Sequence, residues 1–308
     1  MGRLFTFGCS FTNYHWPTWA DIVAQDFKYH ENWGRIGAGN KFIYFSLVEC
    51  HQRKNITKDD TVMIMWTSQA REDRYIKNKW YTPGVVYDNY DEHFLENFVD
   101  ADGYLLDTLT YIQSAVNLLQ SIGCKYELFT MLPLDISTCF DGRHWLDRFI
   151  QKLNPDTVDK MINLYKIALE QIKPSIWQTV FDCDWHSRDD NVMIIKDMHK
   201  TKDILYKNYL ENATQDWPTF EDFFNDTMSD TPPHIIKEID KQFNFIEVRN
   251  KVKHIIRPDN HPTPIEYLEY LNTVNITVSK KATDFAGHWN DLVMKGDAVW
   301  SNKTVERF

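Results

Sequence analysis

Leu4-Phe5-Thr6-Phe7-Gly8-Cys9-Ser10-Phe11-Thr12 is the stretch that decides the fold. Its apolar run stops abruptly at Gly8-Cys9-Ser10. A proline-started helical pattern, Trp16-Pro17-Thr18-Trp19-Ala20-Asp21-Ile22-Val23, follows almost at once. This succession predicts a buried strand over residues 4–7, a tight turn carrying a serine, and a helix near 16–27. In an open α/β sheet such a turn lies at the carboxyl edge of the strands, where these folds bind ligands.

The same rhythm continues outward. An extended piece, 31–36, leads to Gly37-Ala38-Gly39-Asn40 and a helix to about Gln52, with Asn40 read as a helix cap. A strand is expected over 61–66. A helix is expected from about Ala101 to Ile122, with apolar spacing at Leu105, Leu109, Ile112, Val116 and Leu119 and with Gly123 as its cap. A strand over 126–132 follows. Strands alternating with helices predict a parallel sheet covered on both faces. Residues 76–98 are aromatic and read as loop.

From 136 to about 255 the alternation breaks. Segments 145–153, 157–171, 192–195 and 217–230 read as a largely helical insertion, because no Gly/Ser/Pro linker bounds them. One α/β domain is therefore expected over 1–282, with the insertion at about 136–255 and a polar-aromatic tail over 283–308. Thr263-Pro264-Ile265-Glu266 predicts an N-cap, a first-turn proline and a capping box opening an amphipathic helix.

Charge and composition exclude several classes. The 308 residues carry a formal net charge of −10 with no basic stripe, which argues against a nucleic-acid binder held by phosphate contacts. The five cysteines are odd in number and widely spaced, so a reducing compartment is expected rather than a disulfide framework. Met1-Gly2-Arg3 runs straight into the first strand, and no apolar run is long enough to cross a bilayer. A cytoplasmic or intracellular protein with no membrane partner is the expectation. Aromatic residues make up 15% of the chain, which suits carbohydrate or protein contact, although a large core absorbs most Trp and Tyr.

The chemistry-bearing pair is Ser10 and His261, the latter within Pro258-Asp259-Asn260-His261-Pro262-Thr263-Pro264. Each follows an extended piece and precedes a helix, and in a parallel sheet such positions share one edge. A hydroxyl nucleophile needs a base, a group that orients the base, and donors for the developing oxyanion. Each motif alone has a plainer meaning: a turn or capping serine, and a turn before a proline-capped helix. Cys9 neighbours Ser10 but projects the other way from an extended chain, so it reads as a buried structural thiol. Cys183-Asp184-Trp185-His186, with Asp197 and His199, matches no closed zinc set. No P-loop and no Gly-x-Gly-x-x-Gly is present, and neither a metal nor a cofactor is expected.

Three blocks of this sequence resemble the SGNH (GDSL-type) hydrolases. Phe7-Gly8-Cys9-Ser10-Phe11-Thr12 is similar to the first block, Gly37-Ala38-Gly39-Asn40 to the second, and Asp259-Asn260-His261-Pro262 to the last. The local wording is nearest to phage-encoded proteins of this type. The resemblance implies a flavodoxin-like three-layer α/β/α sandwich. It further implies a triad of Ser10, His261 and Asp259, and an oxyanion hole from the N–H groups of Ser10 and Gly37. Three departures stand out. Cys9 replaces the family's aspartate, and Asp259 lies two rather than three residues before the histidine. The third-block asparagine is absent from Met65-Trp66-Thr67-Ser68-Gln69-Ala70-Arg71, which leaves Ser68 as the third donor, with Thr67 and Gln69 beside it. The implied activity is a serine esterase acting on an O-acyl ester of a carbohydrate or small molecule. A catalytically impaired binding or structural protein on the same fold, such as a viral-particle component with homo-oligomer or virion partners, is the second expectation.

Overall fold

The computed structural model describes residues 2–134, 154–181 and 261–295, with Ala298, Trp300 and Val305. Strands β1 (Leu4–Phe7), β2 (His30–Asn32), β3 (Thr61–Trp66) and β6 (Lys125–Thr130) form a parallel sheet in the order β2-β1-β3-β6. Register pairs Leu4 with His30 on one side and with Thr61 on the other. β3 pairs with β6 from Thr61–Lys125 to Trp66–Thr130.

Successive strand residues point to opposite faces. Phe5, Phe7, Val62, Ile64, Trp66 and Leu128 share a core with α2 (Asn40–Lys54) and α5 (Ala101–Ile122). Leu4, Met63, Met65 and Phe129 share another with α1 (Trp19–Ala24) and α8 (Pro264–Thr273). Both faces of β1 and β3 are buried, which explains why these two strands read as nearly unbroken apolar runs. Each fully buried large side chain, such as Phe5 or Trp66, contributes roughly 1.5–3 kcal/mol by leaving water. The result is an α/β/α sandwich of the expected class.

Helix boundaries follow local chemistry. Asp100 caps α5 by accepting the Gly103 N–H at 2.6 Å, and Gly123 ends it at φ 72°. Thr263 and Glu266 form the reciprocal box at the start of α8. The Thr263 N–H donates to Glu266 at 2.7 Å, and the Glu266 N–H donates to the Thr263 hydroxyl at 3.4 Å.

Two regions differ from the sequence expectation. Residues 76–98 are not loop throughout. They complete a hairpin of β4 (Arg74–Ile76) and β5 (Lys79–Tyr81), then form α3 (Val86–Asn89) and α4 (Glu92–Phe98). The hairpin was hidden because its tip is Lys77-Asn78, at φ 49° and 61°, where glycine ordinarily signals such a turn. At the carboxyl end, α9 (Lys280–Lys295) runs through position 283, where the polar-aromatic tail was expected to begin.

The chain divides into two compact units: Met1–Arg188 with His261–Trp289 and Val299–Phe308, and Asp189–Asn260 with Asn290–Ala298. Within the expected insertion, the described stretch 154–181 holds α6 (Pro155–Leu164), α7 (Lys166–Leu169) and a π-helical turn (Trp177–Phe181). Val158 of α6 packs with Leu105 and Leu109 of α5. Segments 145–153, 192–195 and 217–230 lie outside the described residues. Among the described residues no helix is long and apolar enough to cross a membrane.

Asp60 ties the start of β1 to the start of β3. It accepts hydrogen bonds from the Arg3 N–H (3.2 Å), Arg3 Nε (2.9 Å) and Nη2 (2.6 Å), and the Thr57 N–H (2.8 Å). Burial opposes ionisation of Asp60, but the bonds from Arg3 and Thr57 outweigh it and hold the carboxyl down at about 2. Its stabilising contribution is therefore complete above the unfolded carboxyl pKa and is lost as the pH falls from near 4 towards 2. Arg3→Ala is expected to cost ~1–2 kcal/mol in urea unfolding at pH 7, allowing for the partial exposure of Arg3. The same substitution flattens the acid side of the stability–pH curve. An unchanged curve would remove Asp60 from this role.

Candidate active site

In a sheet ordered β2-β1-β3-β6 the connections leave β1 and β3 in opposite directions, which opens a crevice beyond their carboxyl ends. The segments that line this edge are residues 8–14 after β1, 33–39 after β2 and 67–73 after β3. Ser10, Gly37 and Ser68 therefore lie on the same edge, one from each loop.

The Ser10 loop is a turn closed by the Cys9 carbonyl, which accepts the N–H groups of Thr12 (3.0 Å) and Asn13 (3.1 Å). Gly8 is required just before it. A Cβ there would lie 2.0 Å from the Thr12 hydroxyl and 3.0 Å from the Met65 carbonyl. The Thr12 carbonyl accepts from Asn32 Nδ2 and the Thr18 hydroxyl, both at 2.7 Å, and Asn13 Nδ2 donates to the Gly34 carbonyl at 2.9 Å. Cys9 is fully buried in the core, with its thiol 3.9 Å from Met131 Sδ, as expected of a structural thiol.

Gly37 occupies the third position of a turn closed by the Ala38 N–H on the Arg35 carbonyl at 3.1 Å. Its φ of 77° is the left-handed value that a type II turn demands there. A Cβ would lie 2.3 Å from the Thr82 carbonyl, so a second constraint selects glycine. The Arg35 N–H donates to the Gly8 carbonyl at 3.0 Å, which links the two loops. Ser10 and Gly37 each follow two residues later.

The amides around these two are engaged. Phe11 donates to Cys9 Sγ at 3.5 Å, and Gly39 donates to Asp73 Oδ1 at 2.9 Å. The N–H groups of Ser10 and Gly37 have no acceptor among the described residues. Neither N–H takes part in the hydrogen bond that closes its turn.

Ser68 is buried, and its hydroxyl accepts the Ala70 N–H at 3.1 Å, leaving its own proton to donate. Thr67 is committed elsewhere. Its N–H donates to Asn40 Oδ1 at 2.9 Å, and its carbonyl accepts from Asn40 Nδ2 at 3.0 Å. Asn40 is thus more than a helix-start residue: it grips the chain leaving β3.

His261 is held by the Ser10 loop. The Tyr14 ring stacks on its imidazole at 3.7 Å between centroids and 12° between planes, and Phe11 lies at 5.1 Å. Trp16 Nε1 donates to the Pro262 carbonyl at 2.9 Å. No hydrogen bond joins the Ser10 hydroxyl to His261 Nε2. Asp259 lies outside the described residues, as do Cys183, His186, Asp197 and His199. Among the described residues no three potential metal ligands come together.

Two buried carboxyls lie near this edge, and sequence reasoning gave neither a role at the site. Asp21 accepts from the Thr18 N–H at 2.9 Å, and burial pushes its carboxyl up to about 7 against the pull of that bond. Asp73 accepts from Gly39 and from the Phe42 N–H at 2.8 Å, and burial lifts it to about 6. The capping pattern Thr18-x-x-Asp21 was a local signal for the first. No local signal exists for the second, because its partners lie 34 and 31 residues away.

No protein-family model matches the chain, and no curated protein matches it. Among solved structures the chain is similar to a member of the lipolytic protein G-D-S-L family from Veillonella parvula DSM 2008. The identity is 16%, the TM-score is 0.33, and the match covers 61% of this chain and 85% of that one.

Gly37→Ala is expected to destabilise the protein by ~2 kcal/mol or more, because strain at positive φ adds to the clash with Thr82. Gly287→Ala is the control. Its Cβ would meet nothing within 4 Å inside α9, and helix propensity predicts a gain of ~0.5–1 kcal/mol. Thermal unfolding of the two variants checks the contrast, and equal shifts would refute it.

Proposed function

We propose that the protein hydrolyses a carboxylic ester, with Ser10 as nucleophile, His261 as base and Asp259 orienting the base. The observation that carries this reading is the pair of N–H groups on Ser10 and Gly37 with no acceptor among the described residues, in two loops at one sheet edge, together with a histidine stacked on the serine's own loop. Such donors stabilise the negative charge that appears on a carbonyl oxygen only in the tetrahedral intermediate.

The chemistry runs in two halves. Ser10 Oγ attacks the ester carbonyl carbon while His261 takes the hydroxyl proton. The oxyanion is received by the N–H groups of Ser10 and Gly37, with the Ser68 hydroxyl as a third donor. Collapse expels the alcohol, which takes the proton back from His261 and leaves an acyl-serine. Water then attacks the acyl carbon, gives its proton to His261, and releases the carboxylic acid as Ser10 recovers its hydrogen. Asp259 sets the histidine tautomer in both halves. The steps need no cofactor. In this reading the substrate is an O-acyl ester carried by a carbohydrate or another small alcohol.

The absence of a Ser10–His261 hydrogen bond favours a second reading, that of a binding or structural protein on the same fold, such as a viral-particle component. Catalytic hydrogen bonds in ligand-free sites are commonly long and tighten only with substrate bound, which keeps the esterase reading ahead. Ser10→Ala is expected to abolish turnover of p-nitrophenyl acetate and covalent labelling by a fluorophosphonate, with the fold retained. Wild-type protein that neither turns over nor labels supports the binding reading. Turnover that survives Ser10→Ala sinks the serine assignment.

A further inference from the structure

We infer that Asp73 is a positioning residue for the Gly37 donor, acting with Arg71 to clamp the segment that presents it. The inference rests on the reading of Gly37 as an oxyanion donor. Asp73 and Arg71 follow β3, yet their bonds go to the loop that follows β2 and to the first turn of α2. Asp73 Oδ1 accepts the Gly39 N–H at 2.9 Å, and Oδ2 accepts the Phe42 N–H at 2.8 Å. Arg71 Nη1 donates to the Ala38 carbonyl at 3.0 Å. Residues 38 and 39, immediately after the donor, are thereby fixed from one side. The hairpin fixes the other side. The Thr82 hydroxyl donates to the Ile36 carbonyl at 3.3 Å, and Arg35 Nη2 donates to the Trp80 carbonyl at 3.1 Å. The approach leaves no slack, since a Cβ on Gly39 would lie 2.7 Å from Asp73 Oδ2 and 3.0 Å from Arg71 Cβ.

The chemistry of the clamp calls for a carboxylate. Two backbone donors address two different oxygens, and both oxygens must accept. A protonated acid or an amide supplies one acceptor and turns a donor towards the other N–H. Burial raises the Asp73 pKa to about 6, opposed by the N–H groups of Phe42 and Gly39 and by Arg71, and assisted by Glu72. Tyr111 of α5 and Tyr90 beyond α3 are within electrostatic reach. The clamp is therefore complete above about pH 6 and loosens below it.

Asp73→Asn tests this. The expected result is a fall in kcat on p-nitrophenyl acetate on the order of 10–100-fold with KM nearly unchanged, because misplacing a donor penalises the transition state more than the ground state. On the acid side the wild-type log kcat carries a step of the same size near pH 6, and that step is absent in Asp73→Asn. Asp73→Glu restores the step. A folded Asp73→Asn with wild-type kcat and an unchanged acid limb overturns the inference. If Asp73→Asn fails to fold, Arg71→Gln carries the test. A several-fold loss of kcat at constant KM is then expected, and wild-type kcat overturns the inference. The amide resonances of Gly39 and Phe42 report the clamp without catalysis, and they should titrate with a midpoint near pH 6. If they titrate in a protein that turns over no ester, the ester reading has failed and the clamp stands. If they do not titrate, the clamp has failed.

Discussion

β1 is hydrogen-bonded along both edges, to β2 on one side and to β3 on the other, and the rest of the molecule depends on that double pairing. Because both pairings are parallel, the crossovers that join the strands lay helices on both faces of β1, which accounts for the buried Leu4, Phe5 and Phe7. The double pairing also sets where ligands go. The chain leaves β1 for β2 across one face under α1, then returns over β1 to β3 across the other face with α2. The two crossovers part at the carboxyl end of β1, and the Ser10 turn stands where they part.

Much of this was legible because its causes are local. The strand over residues 61–66, the helix over 101–122 with Gly123 at its end, and the Thr263–Glu266 box are set by residues within a few positions of one another. The hairpin over 74–81 was not legible. It closes on Lys77-Asn78 without glycine, and Trp80 packs among Phe42, Phe45 and Tyr75, so its stabilisation is tertiary. At the site, Ser10 was read from its place after a strand, and Gly37 and Ser68 from a family resemblance; all three fall in segments that follow strands of the one sheet. What escaped were the supports: Asn40 gripping Thr67, Asp73 gripping Gly39 and Phe42, and Tyr14 stacked on His261. Each joins segments that sequence spacing does not relate.

These supports share a division of labour. The groups that would touch an ester come from turns. The groups that hold those turns are buried polar side chains, each bonded to main-chain atoms of a neighbouring loop. Asn13 holds Gly34, Asn32 holds Gly34 and Thr12, Asn40 holds Thr67, and Asp73 holds Gly39. Buried polar groups of this kind are costly unless satisfied, so each fixes one arrangement of two loops and penalises the others.

The bond between Trp16 and Pro262 spans 246 residues of chain. Closure over such a separation is a late and entropically expensive event in folding. During synthesis β1, the Ser10 turn and the strands beside them emerge well before His261, so the Tyr14–His261 stacking and the Trp16–Pro262 bond form only after the intervening segment has been made. A product that stops short of Pro262 would carry the loop over residues 8–14 without the ring stacking and the hydrogen bond that pin it.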